Sequence, residues 1–213
     1  MHWHIADIAD AVHARLVQQS AAEDAEHAVY GFDTLDELGL HPLIRQGLRS
    51  AGYGVYPEQR YPGHWHKTKK SHGLRCDIVL TPDGQPLRDP QLKNTLFDSD
   101  SACDPEAAYW LEIKTVAQYE TSGPFRRYAA ELLAPVAKDV RKISSDDVIK
   151  HGGLLLVLFT QTREVAEHDL AVWHDRCLRK GYHVGPPAVR SLPITDRTGN
   201  GCCSVAVFGV RDV

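Results

Sequence analysis

The stretch Tyr109-Trp110-Leu111-Glu112-Ile113-Lys114-Thr115-Val116 decides the fold: an apolar run, suited to a buried strand, that carries an acid and a base two positions apart. Side chains alternate across a strand, so Glu112 and Lys114 project from one face, about 7 Å apart along the backbone. A second strand-like run, Leu74-Arg75-Cys76-Asp77-Ile78-Val79-Leu80, carries a single acid at Asp77. Charged groups in apolar strands are costly to bury without partners. A hard divalent cation would relieve that cost, because carboxylate oxygens are its natural ligands. The lysine would then stand beside an activated water, an arrangement that points to metal-assisted hydrolysis of a phosphodiester.

Outward from these strands, the spacing of Ile5, Ile8, Val12 and Leu16 predicts a first helix over 5–29, closed by Gly31. Thr34-Leu35-Asp36-Glu37 reads as a capping box opening a second helix, whose apolar stripe is Leu40, Leu43, Ile44 and Leu48. Pro42 either kinks this helix or starts a new one, and the kink is the preferred reading. A strand over 53–61 follows, then the Asp77 strand. Residues 81–106, rich in Pro, Asp, Gln and Ser, read as a surface insertion. The Glu112 strand comes next, then a helical segment over 126–149 interrupted at Pro135.

Leu154 to Thr160 is continuously apolar, as expected of a central strand covered on both faces. Residues 163–180 read as an amphipathic helix stopped by Gly181. Strands over 189–196 and 202–210 then flank Asn200-Gly201, a hairpin-turn signal. The expected architecture is α/β: a mixed sheet flanked by helices, with an N-terminal helix and a C-terminal hairpin. Residues 1–32 would be an N-terminal helical extension to a domain spanning 33–213.

Bulk properties restrict the function classes. With 213 residues, 43% hydrophobic and 24% charged, the chain suits one soluble domain with a sizeable core. No apolar stretch reaches membrane-spanning length, and the N-terminus lacks the pattern of a signal peptide. Five scattered cysteines without a CxxC pair fit reduced thiols in the cytosol, so a cytoplasmic protein is expected. Phosphate-loop, dinucleotide and nucleophile-elbow glycine motifs are lacking, which disfavours NTPase, dinucleotide and hydrolase-elbow chemistry. The net charge of −4 counts mildly against nucleic-acid binding, although a nuclease needs a basic lining only locally. Basic groups cluster at 66–70, at Arg126-Arg127 and from Lys138 to Lys142.

The order of elements, with Asp77 in the second core strand and Glu112-Ile113-Lys114 in the third, resembles the PD-(D/E)xK nuclease superfamily and its restriction-endonuclease-like fold. The likeness runs from about Asp36 to Thr160 and departs from the motif at Cys76, where proline is usual. It implies a nuclease using Mg²⁺ or Mn²⁺ on nucleic acid, DNA before RNA. Asp77 and Glu112 would be metal ligands, with the main-chain carbonyl of Ile113 assisting and Lys114 orienting or helping deprotonate the attacking water. Glu37 is the candidate for the first-helix glutamate that often joins such a metal site. Many small nuclease domains of this kind work as homodimers.

Competing readings attach to several of these residues. Glu37 could equally be the reciprocal acid of the capping box. Glu58 is a second-metal or second-layer candidate, or a plain strand-edge acid. Gln118 and Tyr119 follow the Glu112 strand closely enough to touch substrate. Lys138 and Lys142 share a helix face that could meet phosphates or merely solvent. Zinc on His64, His66 and His72 lacks any supporting ligand spacing, and the acidic stretch 98–104 lacks the key positions of a calcium loop. Trp110 and Trp173 suit core packing better than base stacking. The rival function is a non-catalytic relative that binds nucleic acid or protein.

Overall fold

The computed structural model describes residues 3–65, 73–89, 92, 95–96, 99–133 and 135–212, with backbone alone at 135–137 and 212. The basic cluster at 66–70, His72, and the start of the acidic stretch at Asp98 lie outside the described residues.

The chain runs α1 (Ile5–Ala25), α2 (Glu37–Ser50), β1 (Gly54–Arg60), β2 (Arg75–Thr81), β3 (Tyr109–Ala117), β4 (Tyr119–Glu120), β5 (Gly123–Pro124), α3 (Tyr128–Leu133), α4 (Pro135–Ser144), β6 (His151–Thr160), α5 (Arg163–Arg179), β7 (Ala188–Pro193) and β8 (Cys202–Asp212). It is an α/β protein built on a six-stranded mixed sheet of order β1-β2-β3-β6-β8-β7. Only β3 and β6 pair in parallel; the other neighbours are antiparallel. A parallel pair needs a crossover, which α3 and α4 supply. Among the described residues, no helix is long and apolar enough to cross a membrane.

Helices cover both faces. On one, Ile8, Val12 and Leu16 of α1 and Leu40, Ile44 and Leu48 of α2 pack with Ile78, Leu111, Ile113, Leu155, Val157 and Val205. On the other, Val140, Ile143 and Trp173 pack with Trp110, Leu154, Leu156, Leu158 and Phe208. The apolar run in β6 is thereby explained: its odd residues enter one core and its even residues the other. Trp110 and Trp173 are core residues, as their apolar settings implied. Helix α1 contacts α2, β7 and β8, so it belongs to the same packed face as the sheet.

Local differences from expectation have identifiable causes. Helix α1 ends at Ala25 rather than near Val29, where His27 takes a left-handed φ of 54° and turns the chain. The capping box does not form. Asp36 is the N-cap and accepts from the Gly39 amide at 2.7 Å, while the Thr34 hydroxyl donates to the Gly31 carbonyl. That leaves the Glu37 carboxylate available elsewhere. A single helix runs through Pro42, whose missing amide falls against the carbonyl of the exposed first turn.

The connection between β7 and β8 also differs. Pairing closes at Pro193 with Cys202, so residues 194–201 form the loop and Asn200-Gly201 is not a two-residue turn. Asn200 is instead buried and donates to the Asp33 carboxylate and the Tyr119 carbonyl, both at 3.0 Å. These tertiary hydrogen bonds outweigh the local turn preference.

Helices α1 and α2 cross closely at Gly47, where a Cβ would lie 2.6 Å from the Ala11 carbonyl oxygen and 2.9 Å from the Arg15 Cβ. Alanine improves helix propensity by about 1 kcal/mol, but overpacking against backbone costs about 1–3 kcal/mol. Gly47→Ala is therefore expected to lower unfolding stability in urea, although alanine is the better helix former.

Candidate functional site

The site begins where two strands separate. The β2–β3 ladder runs Leu80–Tyr109, Val79–Trp110, Ile78–Leu111, and one further step would set Asp77 opposite Glu112. Like charges directly opposite are unfavourable, and the pairing stops there. The Asp77 carboxylate takes the amide of Ile113 at 2.7 Å in place of a strand partner. The N–H and C=O of one strand residue point to the same edge, so the Ile113 carbonyl is turned toward this opening as well.

Glu112 shares its face with Trp110 and is only 1% exposed. Both of its oxygens are engaged. Oε1 accepts from the Tyr61 hydroxyl at 2.5 Å and Oε2 from the Lys142 ammonium at 3.0 Å. Tyr61 is fixed by stacking on Trp110, with ring centroids 5.7 Å apart. Lys142 reaches in from α4 and also contacts Asp139, one turn back on the same helix, at 2.8 Å.

The electrostatics follow from this crowding. Burial pushes the Glu112 carboxyl up, and the Asp77 charge adds to it. Lys142 and the Tyr61 hydrogen bond pull in the other direction, leaving the group at about 8. Burial also raises Asp77, outweighing the Ile113 amide and the nearby His41, while the Glu37 charge adds to the rise. For Lys142, burial alone would lower the ammonium; Glu112 and Asp139 outweigh it and hold the group above its ordinary value.

Lys114 lies on the same face of β3 as Glu112 but pairs with Glu37, its ammonium 3.1 Å from that carboxylate. Glu37, in the first turn of α2, also accepts from the Thr115 amide at 3.4 Å. Two carboxylates, Asp77 and Glu37, thus take amides along the β3 edge that β2 leaves open. Beside them a cleft of about 410 Å³ has Asp33, Asp36, Glu37, Glu120 and Glu131 in its lining, so its charged groups are acidic apart from Lys114.

The remaining sequence candidates are scattered. Glu58 falls at the position the β1–β2 pairing skips, between Pro57–Ile78 and Gln59–Cys76, and it is exposed with a left-handed φ of 54°. The Gln118 side chain accepts from the Gln161 amide, tying the ends of β3 and β6 together. The Tyr119 backbone is held by Asn200. Lys138 is exposed, so it does not share the inward position of Lys142 four residues on. Arg126 and Arg127 are exposed, the latter paired with Glu131. His64 accepts from the Leu74 amide at 2.8 Å.

Three residues at the site escaped sequence reasoning. Tyr61 ends a weakly patterned strand. Asp139 signals itself only by its i,i+3 spacing to Lys142. His41 lies four residues after Glu37 on α2, is 8% exposed, and its Nε2 has no hydrogen-bond partner among the described residues. Its effect on Asp77 places it near the acids.

Among the described residues, no group of three or more His, Cys, Asp or Glu side chains forms a ready-made metal cage. The oxygen donors nearest the end of the β2–β3 ladder are Asp77, Glu112 and the Ile113 carbonyl. All are hard oxygens, and mutual repulsion with burial makes both carboxylates costly as bare anions. This suits Mg²⁺ or Mn²⁺, since Mg²⁺ commonly binds through one or two carboxylates and keeps several waters. No protein-family model, curated protein or solved structure matches the chain.

A carboxyl whose pKa rises on folding stabilises the native state only while protonated. The benefit is complete below the ordinary value of 4.5 and is lost as pH climbs to about 8. Urea unfolding is expected to show wild-type stability falling by on the order of a few kcal/mol across that window. Glu112→Gln should lose most of this slope, keeping only the smaller part due to Asp77.

Proposed function

We propose that the chain is a divalent-metal-dependent nuclease of restriction-endonuclease-like fold, hydrolysing phosphodiester bonds in DNA. One observation carries this reading. Asp77 and Glu112 stand at one register position on diverging strands, Glu112 buried and Asp77 half-buried, and both are disfavoured as free anions. A pair of acids maintained at such cost has a physical use if it holds a cation. The sheet order, the helix before it and the crossover after β3 support the same fold assignment.

Asp77 and Glu112 would hold Mg²⁺ or Mn²⁺ with the Ile113 carbonyl. When bound, the ion would acidify a water and neutralise charge developing on the phosphoryl group. Lys114, which strand alternation puts on the Glu112 face of β3, would offer its ammonium to an incoming water or a phosphate oxygen. Glu37 holds that ammonium in place, and its position leaves it close enough to Asp77 to affect its charge. Lys138, exposed on α4, is available to the nucleic-acid backbone. Tyr61 orients the Glu112 carboxylate through Oε1.

A non-catalytic nucleic-acid- or protein-binding module is the second reading. It is favoured by the engagement of both Glu112 oxygens within the protein and by the acidic lining beside Lys114. Incubation of purified protein with labelled single- and double-stranded DNA and with RNA separates the two. Cleavage is expected with Mg²⁺ or Mn²⁺ and none with a chelator. Asp77→Asn, Glu112→Gln and Lys114→Ala should each lower the rate by about a hundredfold or more. Absence of metal-dependent cleavage in the wild type would favour the binding module.

A further inference from the structure

We infer that Lys142 is a tethered counter-ion that holds the cation position at Glu112 and is expelled when a divalent ion enters. The inference presupposes that the Asp77–Glu112 pair takes a metal, as proposed above.

The contacts around Lys142 motivate it. Its ammonium lies 3.0 Å from Glu112 Oε2 and 2.8 Å from Asp139 Oδ1, bridging an acid of the sheet and an acid of its own helix. The other oxygen of Glu112 is taken by Tyr61. Each Glu112 oxygen therefore already accepts one hydrogen bond, and a cation binding there must fit beside Tyr61 or Lys142. An ion coordinated by carboxylate oxygens at about 2.0–2.6 Å would stand close to an ammonium on the same oxygen, and the repulsion between the two positive charges favours departure of one of them.

Tyr61 is locked by its stacking on Trp110, whereas Lys142 has a flexible stem and is 18% exposed. The lysine is the group that can leave. Asp139 is on α4 with it and could retain the ammonium after Glu112 lets go, so the displacement needs only a side-chain swing. The same swing would release a positive charge beside the acids when the metal is present. In its absence the ammonium offsets part of the cost of burying Glu112.

Calorimetric titration with Mg²⁺, at a pH above the Glu112 titration, tests this on wild type, Lys142→Met and Glu112→Gln. Lys142→Met should bind about tenfold tighter or more, the size of a typical coupling between competing events. Mass-spectrometric mapping of amine acylation on the wild type provides a second readout that needs no variant to fold. Lys142 should become several-fold more reactive on adding Mg²⁺, with exposed Lys138 unchanged as the internal reference.

If wild type and Lys142→Met bind equally, Lys142 reactivity is indifferent to Mg²⁺, and Glu112→Gln still abolishes binding, the counter-ion idea is overturned while the metal site stands. If neither wild type nor Lys142→Met takes up Mg²⁺, the metal reading falls and this inference with it.

Discussion

The site depends on one constraint: two carboxylates side by side in a β ladder repel each other. Asp77 and Glu112 meet at the register position where β2 and β3 stop pairing, and the gap they open makes the rest of the site possible. Asp77 turns inward to take the Ile113 amide. Glu37 takes the Thr115 amide farther along the same edge. Backbone groups that would otherwise lack partners become the framework that fixes two acids, and the Ile113 carbonyl is turned toward them.

Around that opening the two faces of the sheet contribute different chemistry. From α2 come Glu37 and His41, one turn apart, with Glu37 fastened to Lys114. From α4 and the end of β1 come Lys142 and Tyr61, which together enclose Glu112. The buried carboxylate is compensated by one neutral donor and one ammonium. Even so, burial and the neighbouring Asp77 hold it well above the usual carboxylate range. A strongly perturbed acid beside a second acid, in an opening between strands, is the physical basis for assigning chemistry here.

The surroundings also set limits on what can approach. The charged groups lining the cleft beside Lys114 are otherwise acidic, so an anionic polymer would meet it favourably only with bound cations or with basic groups elsewhere on the surface. Lys138 and the Arg126-Arg127 pair are exposed and could serve that purpose. Gln118 and the Tyr119 backbone hydrogen-bond to Gln161 and to Asn200.

By itself, the amino-acid sequence determined the elements and the main acids. The alternation in 109–116 puts Glu112 and Lys114 on one face, and the uninterrupted apolar run of β6 dictates a strand covered on both sides. The helical stripe of α2 buries Leu40, Ile44 and Leu48. These features follow from local periodicity, which any residue's near neighbours can express. Which charge meets which partner was decided only by the tertiary structure. Lys114 goes to Glu37 and Lys142 to Glu112 because the ladder splits and α4 leans over β3. Asp36 rather than Thr34 caps α2, and Asn200 is drawn into the core. The physical reason is that ion pairs and buried hydrogen bonds depend on distances between residues far apart in the chain, and periodicity carries no record of those distances.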